Sequence, residues 1–141
     1  ATEVGLGVRP SNKAKYILIA TPAGAYFDPS KPVSVWISTE YVRAAQGGTG
    51  EAKCGGNYAS SLTAQVEAYE NGCAQVLFLD SETHTNVEEL GGMNVFFVFK
   101  DGSVATPALD GTILRGITRK SVIQLIKDRG IKLEERKITL D

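Results

Sequence analysis

The chain has 141 residues, of which 43% are apolar and 22% charged, with a formal net charge of −1. These fractions belong to a soluble globular protein of about one domain. The near-zero charge gives no bulk attraction to nucleic acid or an anionic membrane, and the longest apolar run, Val95 to Phe99, is strand-sized rather than membrane-spanning.

Two cysteines, Cys54 and Cys73, are too few for a disulfide framework and form no CxxC pair. A reduced, cytoplasmic protein is the simplest expectation. His84 is the only histidine, so a His-rich metal site is excluded and no metal is expected. The start, Ala1-Thr2-Glu3-Val4, lacks the basic and apolar regions of a signal peptide. Both ends read as cut, with Ala at position 1 and a possible helix cap at Asp141 that nothing follows. The expectation is a fragment of a longer protein.

In chain order, Lys15 to Thr21 is rich in β-branched and aromatic residues and reads as a buried strand. Pro22, Gly24, Pro29 and Pro32 punctuate a linker that holds Tyr26 and Phe27, and a domain boundary is placed there. Val33 to Ser38 alternates and reads as a second strand. A Gly-rich loop runs from Gly47 to Gly56. Behind it Ala59, Leu62, Val66 and Tyr69 fall at helical spacing, stopped by Asn71-Gly72. Val76 to Leu79 is a buried strand. Met93 to Phe99 is another, and Asp101-Gly102 turns it into Ser103 to Thr106, which Pro107 ends. A helix from Thr118 turns Val122, Ile123 and Ile126 inward and stops at Gly130. The last strand is Lys132 to Ile138.

The Gly-rich loop encloses Lys53 between Gly47, Gly48 and Gly50 on one side and Gly55 and Gly56 on the other. Glycine lets backbone approach a ligand closely, at an entropic cost. An amine held this way can form a Schiff base with an aldehyde cofactor, although a mobile surface loop has the same composition. Tyr58 is close enough to share such a pocket, or else it packs at a helix start. Cys54 reads as a small buried filler, and His84 as a surface turn residue.

Glu88 and Glu89 precede Gly91-Gly92 and a strongly apolar strand. A carboxylate at a core edge is costly without a partner, and a protonated pyridine nitrogen would be one. Alternation sends one of the two inward and the other outward. A solvated strand end is the commoner fate of such a pair. Leu114 to Ser121 is a loop that opens a helix, where free N–H groups and the dipole offer an anion seat. Gly116 allows close approach, and Thr118 can cap the helix or bond a phosphate oxygen.

Six stretches in order resemble the branched-chain amino acid aminotransferases, pyridoxal-phosphate enzymes of fold type IV. They are Ala20 to Phe27, Gly48 through Lys53 to Tyr58, Asn71 to Leu77, Glu89 to Asn94, Thr106 to Gly111, and Leu114 to Arg119. The resemblance implies an α+β (mixed α/β) fold: the end of a small N-terminal domain over 1–22, a connection over 23–32, and the first half of the large cofactor-binding domain over 33–141. It implies Lys53 as the Schiff-base and proton-moving lysine, Glu89 as the partner of the pyridine nitrogen with Glu88 outward, and Tyr58 on the cofactor's phenolic oxygen. Leu114 would pack on the ring, Gly116, Ile117 and Thr118 would seat the phosphate, and Gly92 would lie on the substrate side. The implied reaction moves an amino group between leucine, isoleucine or valine and 2-oxoglutarate, in a homodimer. The alternatives are another fold type IV enzyme, such as a D-amino acid aminotransferase or aminodeoxychorismate lyase, and a catalytically inert fragment.

Overall fold

The structure is a computed structural model in which residues 3–25 and 27–140 are described. Tyr26 and the expected cap at Asp141 lie outside them. The chain divides into two units, Ala1–Pro32 and Val33–Asp141.

The first unit has no helix or strand among its described residues. Its order is local: the Glu3 carboxylate accepts bonds from Arg9 Nη1 at 2.9 Å and the Asn12 N–H at 3.2 Å. The strand expected over Lys15 to Thr21 does not form, and Tyr16, Leu18 and Ile19 are more than four-fifths exposed. A strand needs a neighbour to pair its backbone and cover one face. The described residues of this unit supply none.

The second unit runs β1 (Val35–Ser38), α1 (Gly55–Glu70), β2 (Gln75–Leu79), β3 (Val87–Leu90), β4 (Phe97–Val98), β5 (Val104–Thr106), α2 (Ile117–Asp128) and β6 (Leu133–Glu135). Two three-stranded sheets result, ordered β1-β2-β3 and β4-β5-β6. In the first, β1 lies parallel to β2 with Trp36 opposite Val76, and β2 lies antiparallel to β3 with Leu79 opposite Val87. In the second, β4–β5 is antiparallel and β5–β6 parallel. Each parallel pair is bridged by one helix, as parallel strands require. Leu77, Leu79, Val87 and Leu90 of the first sheet share a core with Ala105 of the second and with Ile138.

Several expected elements change in detail. α1 turns Ala64 and Ala68 onto Val76 and Phe78, while Leu62, Val66 and Tyr69 are more than half exposed. Small side chains let the helix sit close to β2, so the large ones face away. The strand expected over Met93 to Phe99 shrinks to β4. The Met93 carbonyl is taken by the Leu90 N–H at 3.0 Å and the Val95 carbonyl by Thr106 Oγ1 at 2.7 Å, so neither is free for a ladder. β6 is shorter than expected, although Ile138 still accepts the Val87 N–H at 2.7 Å. His84 is half-buried rather than a surface residue, and holds φ at 53°. It sits in a turn gathered by Asp80, whose carboxylate accepts the N–H groups of Thr83, Thr85 and Asn86 at 2.9, 3.1 and 2.7 Å.

Candidate functional site

A cavity of about 470 Å³ lies in the second unit. Tyr58 of α1, Glu89 of β3, Gly92, Met93, Asn94 and Phe96 of the β3–β4 connection, Leu114, and the start of α2 wall it. Of the residues singled out in the sequence, Tyr58, Glu89, Gly92, Leu114, Gly116, Ile117 and Thr118 all line this one space. Lys53 is exposed beside it: Nζ donates to the Tyr58 hydroxyl and lies 4.8 Å from that ring's centre.

The Lys53 loop is built by Asn57, whose Nδ2 donates to the carbonyls of Thr49 and Ala52, both at 2.8 Å. Those bonds fold the Gly-rich segment back onto the first turn of α1. Gly50 is buried, and a Cβ there would overlap the Thr112 carbonyl and lie 2.7 Å from Ala44 Cβ. Cys54 is the residue ahead of α1 and is half-buried rather than a buried filler. The Thr49 hydroxyl first, then the Asn57 N–H, draws its thiol below the ordinary value.

Glu89 is 3% exposed. Its Oε1 lies 3.2 Å from Arg43 Nη2, and its Oε2 accepts from Asn94 Nδ2 at 2.8 Å and from the Leu114 N–H at 3.2 Å. Burial pushes this carboxyl above its ordinary value, with Arg43, the Leu114 N–H, Asn94 and the charge of Lys53 opposing in that order. Burial wins, so this carboxyl holds its proton more readily than an exposed one despite its donors.

Glu88 corrects the sequence reading. It points to the other face of β3, as alternation requires, but it is 4% exposed rather than outward and solvated. There it borders a second cavity of about 70 Å³. Its Oε1 is bonded to Thr112 Oγ1 at 2.6 Å.

The α2 start differs too. Gly116, not Thr118, is the residue ahead of the helix, and no side chain caps it. The first helical bond runs from the Lys120 N–H to the Gly116 carbonyl at 3.0 Å. The preceding N–H groups of the first turn therefore have no partner within the helix. A Cβ on Gly116 would overlap Asn94 Oδ1, so a side chain there would have to displace that amide. Arg119, 5% exposed, ties this turn down by donating from Nη2 to the Pro107 carbonyl and to Glu135 Oε2, both at 2.9 Å.

The sequence reading gave no role to Arg43, Asn94 or Thr112. An asparagine inside the apolar run Met93-Asn94-Val95 is itself a signal, since a buried amide needs partners. Arg43 carries no local signal. Among the described residues no group of three His, Cys, Asp or Glu side chains could hold a metal ion, and no helix is long and apolar enough to cross a membrane.

Pyridoxal phosphate fits this donor set. A buried carboxylate lines the cavity, an amine–phenol pair stands at its side, and an uncapped helix start behind Gly116 borders it.

The family described as Amino-transferase class IV matches residues 3–141. The chain is 61% identical to the branched-chain-amino-acid aminotransferase of Mycolicibacterium smegmatis and 54% identical to the probable branched-chain-amino-acid aminotransferase of Streptomyces coelicolor. Each match covers all of this chain, which spans about 39% of those relatives' length. The solved branched-chain amino acid aminotransferase of Thermobaculum terrenum, in its PLP form, is 35% identical with a TM-score of 0.69, over 76% of this chain and 34% of that one. The Escherichia coli enzyme is 33% identical with a TM-score of 0.73, over 85% of this chain and 40% of that one. The α+β class expected from the sequence holds, and the chain belongs to the class IV aminotransferases.

Proposed function

We propose that the chain is part of a branched-chain amino acid aminotransferase, which binds pyridoxal phosphate and moves an amino group between leucine, isoleucine or valine and 2-oxoglutarate. The observation that carries the reading is Glu89, buried, held by three donors and facing the same cavity as Tyr58 and the α2 start. The domain division that belongs to this reading is 1–22 from a small domain, 23–32 as the connection and 33–141 from a large domain. A homodimer in the cytoplasm is the expected setting.

When bound, pyridoxal phosphate supplies an aldehyde and a ring that withdraws electrons from the substrate's α-carbon. Glu89 would be the partner of the ring nitrogen, its carboxylate held in place by Arg43, Asn94 and the Leu114 N–H. Lys53 would be the covalent anchor of the aldehyde, and its amine would serve as the general base. The Tyr58 hydroxyl is within bonding reach of its Nζ and can hold or return a proton there. The N–H groups of Ile117 and Thr118, with Gly116 ahead of them, would seat the phosphate. Leu114 would pack on the ring, and Gly92, with open space around it, would lie on the substrate side.

Borohydride reduction of the whole protein with pyridoxal phosphate, followed by peptide mass mapping, tests the reading. The expected result is one phosphopyridoxyl adduct on Lys53, absent in Lys53→Ala. An adduct confined to other lysines, or none, would overturn it.

A further inference from the structure

Thr112 stands between two carboxyl groups. Its hydroxyl oxygen is 2.6 Å from Glu88 Oε1 and 2.8 Å from Asp110 Oδ1. A hydroxyl has one hydrogen and can donate to only one of them. Both contacts are hydrogen bonds only if a second hydrogen is present, on one of the carboxyls. Asp110 is exposed and also accepts the Thr112 N–H at 3.2 Å, so it suits the ionised form. Glu88 is buried, and its Oε2 has no hydrogen-bond partner among the described residues. An unpartnered carbonyl oxygen of a neutral acid is far cheaper to bury than half of a carboxylate. With the proton on Glu88, the hydrogens run from Glu88 to Thr112 to Asp110; with Glu88 ionised, Thr112 donates to one carboxylate at the expense of the other.

The same threonine reaches the other face of β3. Its carbonyl accepts Arg43 Nη2, the group that pairs with Glu89. Two residues further on, the Leu114 N–H donates to Glu89. Consecutive residues of β3 thus grip one loop from both sides, and that loop carries the Leu114 and Gly116 wall of the cavity.

We propose that Glu88 is a positioning residue of the cofactor site, working as a neutral acid that clamps Thr112 and thereby sets Arg43, Glu89 and the Leu114 wall. The proposal rests on the cofactor reading above. Loss of its proton leaves two carboxylates competing for one hydroxyl hydrogen and loosens the loop. Burial pushes Glu88 up to about 7; donation from the Thr112 hydroxyl to the ionised form opposes, Asp110 adds, Arg43 opposes and Asp80 adds. Glu82 and Lys137 are the other charged groups bordering its cavity.

The test uses the whole protein as wild type, Glu88→Gln, Glu88→Leu and Thr112→Val, the last an isosteric cut of the same link should Glu88→Leu fail to fold. Pyridoxal phosphate affinity is measured from about pH 6 to about pH 8.5, spanning the titration of Glu88. Difference infrared spectra of the cofactor-free proteins, wild type minus Glu88→Gln, follow the protonated carboxyl. Wild-type affinity should fall with rising pH by up to about tenfold per unit above neutrality, as the carboxyl band disappears. Glu88→Gln, a permanent neutral donor, should match wild type at the acid end and lack that fall. Glu88→Leu and Thr112→Val should bind weakly at every pH. Overturning results are a Glu88→Gln as weak as Glu88→Leu at the acid end, a Glu88→Leu equal to wild type throughout, or no protonated carboxyl band. A wild type that binds no pyridoxal phosphate overturns the cofactor reading itself; wild-type binding with any of those results overturns only the role of Glu88.

Discussion

Asn94 and Glu89 are joined by a 2.8 Å bond from Nδ2 to Oε2, and the same amide donates to the Leu114 carbonyl at 2.9 Å. Asn94 therefore fixes the carboxylate and the opposite wall of the cavity together. Its Oδ1 fills the space that a side chain on Gly116 would need.

Gly116→Ala should consequently act through Asn94. The new methyl displaces the amide and leaves Glu89 Oε2 with only the Leu114 N–H. Each of Gly116→Ala and Asn94→Ala should cost about 1–3 kcal/mol. The double variant should lose clearly less than their sum, because both remove the same bond. Urea denaturation of the four proteins measures it, and strict additivity would show that Asn94 is not what the methyl displaces.

Two substitutions in the Lys53 loop should differ sharply. Gly50→Ala places a methyl against backbone at Thr112, which cannot rotate away, and should cost about 3 kcal/mol. Glu51→Gln removes the 3.1 Å pair with Arg115, whose side chains are 46% and 70% exposed, and should change stability by less than about 1 kcal/mol. Thermal melts of both variants decide this; a Gly50→Ala protein as stable as wild type would contradict the close packing.

Stability should depend on pH in two directions. Glu88, ordinarily near 4.5 and raised to about 7, binds its proton more tightly folded than unfolded, so its contribution is complete below about 4.5 and lost as pH rises through 7. Glu89 is raised as well and acts in the same sense. The Glu88 share is about 3 kcal/mol at most. Asp80 acts oppositely. Burial raises it, but the N–H groups of Asn86 and Thr83, the Thr83 hydroxyl and the Thr85 N–H together hold it well below 3.8. Its contribution is lost as pH falls below that value. Urea unfolding across pH should show the wild type losing stability toward neutrality and Glu88→Gln lacking that share of the loss. A wild-type curve that rises over the same interval, relative to Glu88→Gln, would refute the protonated Glu88.

Local rules carried much of the reading. The Asn71-Gly72 stop, with Gly72 at φ 71°, and the Asp101-Gly102 turn, with Gly102 at φ 81°, stand where turn chemistry puts them. Alternation along Val87 to Leu90 correctly sends Glu88 and Glu89 to opposite faces. Periodicity located α1 but not its buried face, which Ala64 and Ala68 form while Leu62, Val66 and Tyr69 are exposed. It also overran β4, where side-chain and turn bonds take the carbonyls a ladder would use.

The sequence by itself determined most helices and strands of the second unit, the turn positions, and the residue types that point to an amine, a pyridine partner and an anion seat. Each depends on backbone preferences and spacing over a few residues. Only the tertiary structure decided that Glu88 is buried as deeply as Glu89, that Gly116 rather than Thr118 stands ahead of α2, and that Arg43, Asn94 and Thr112 belong to the site. Those facts arise from contacts between distant segments: Thr112 is 24 residues from Glu88 and 69 from Arg43. Burial and the pairing of buried charge depend on which segments meet in space, and spacing along the chain carries no record of that.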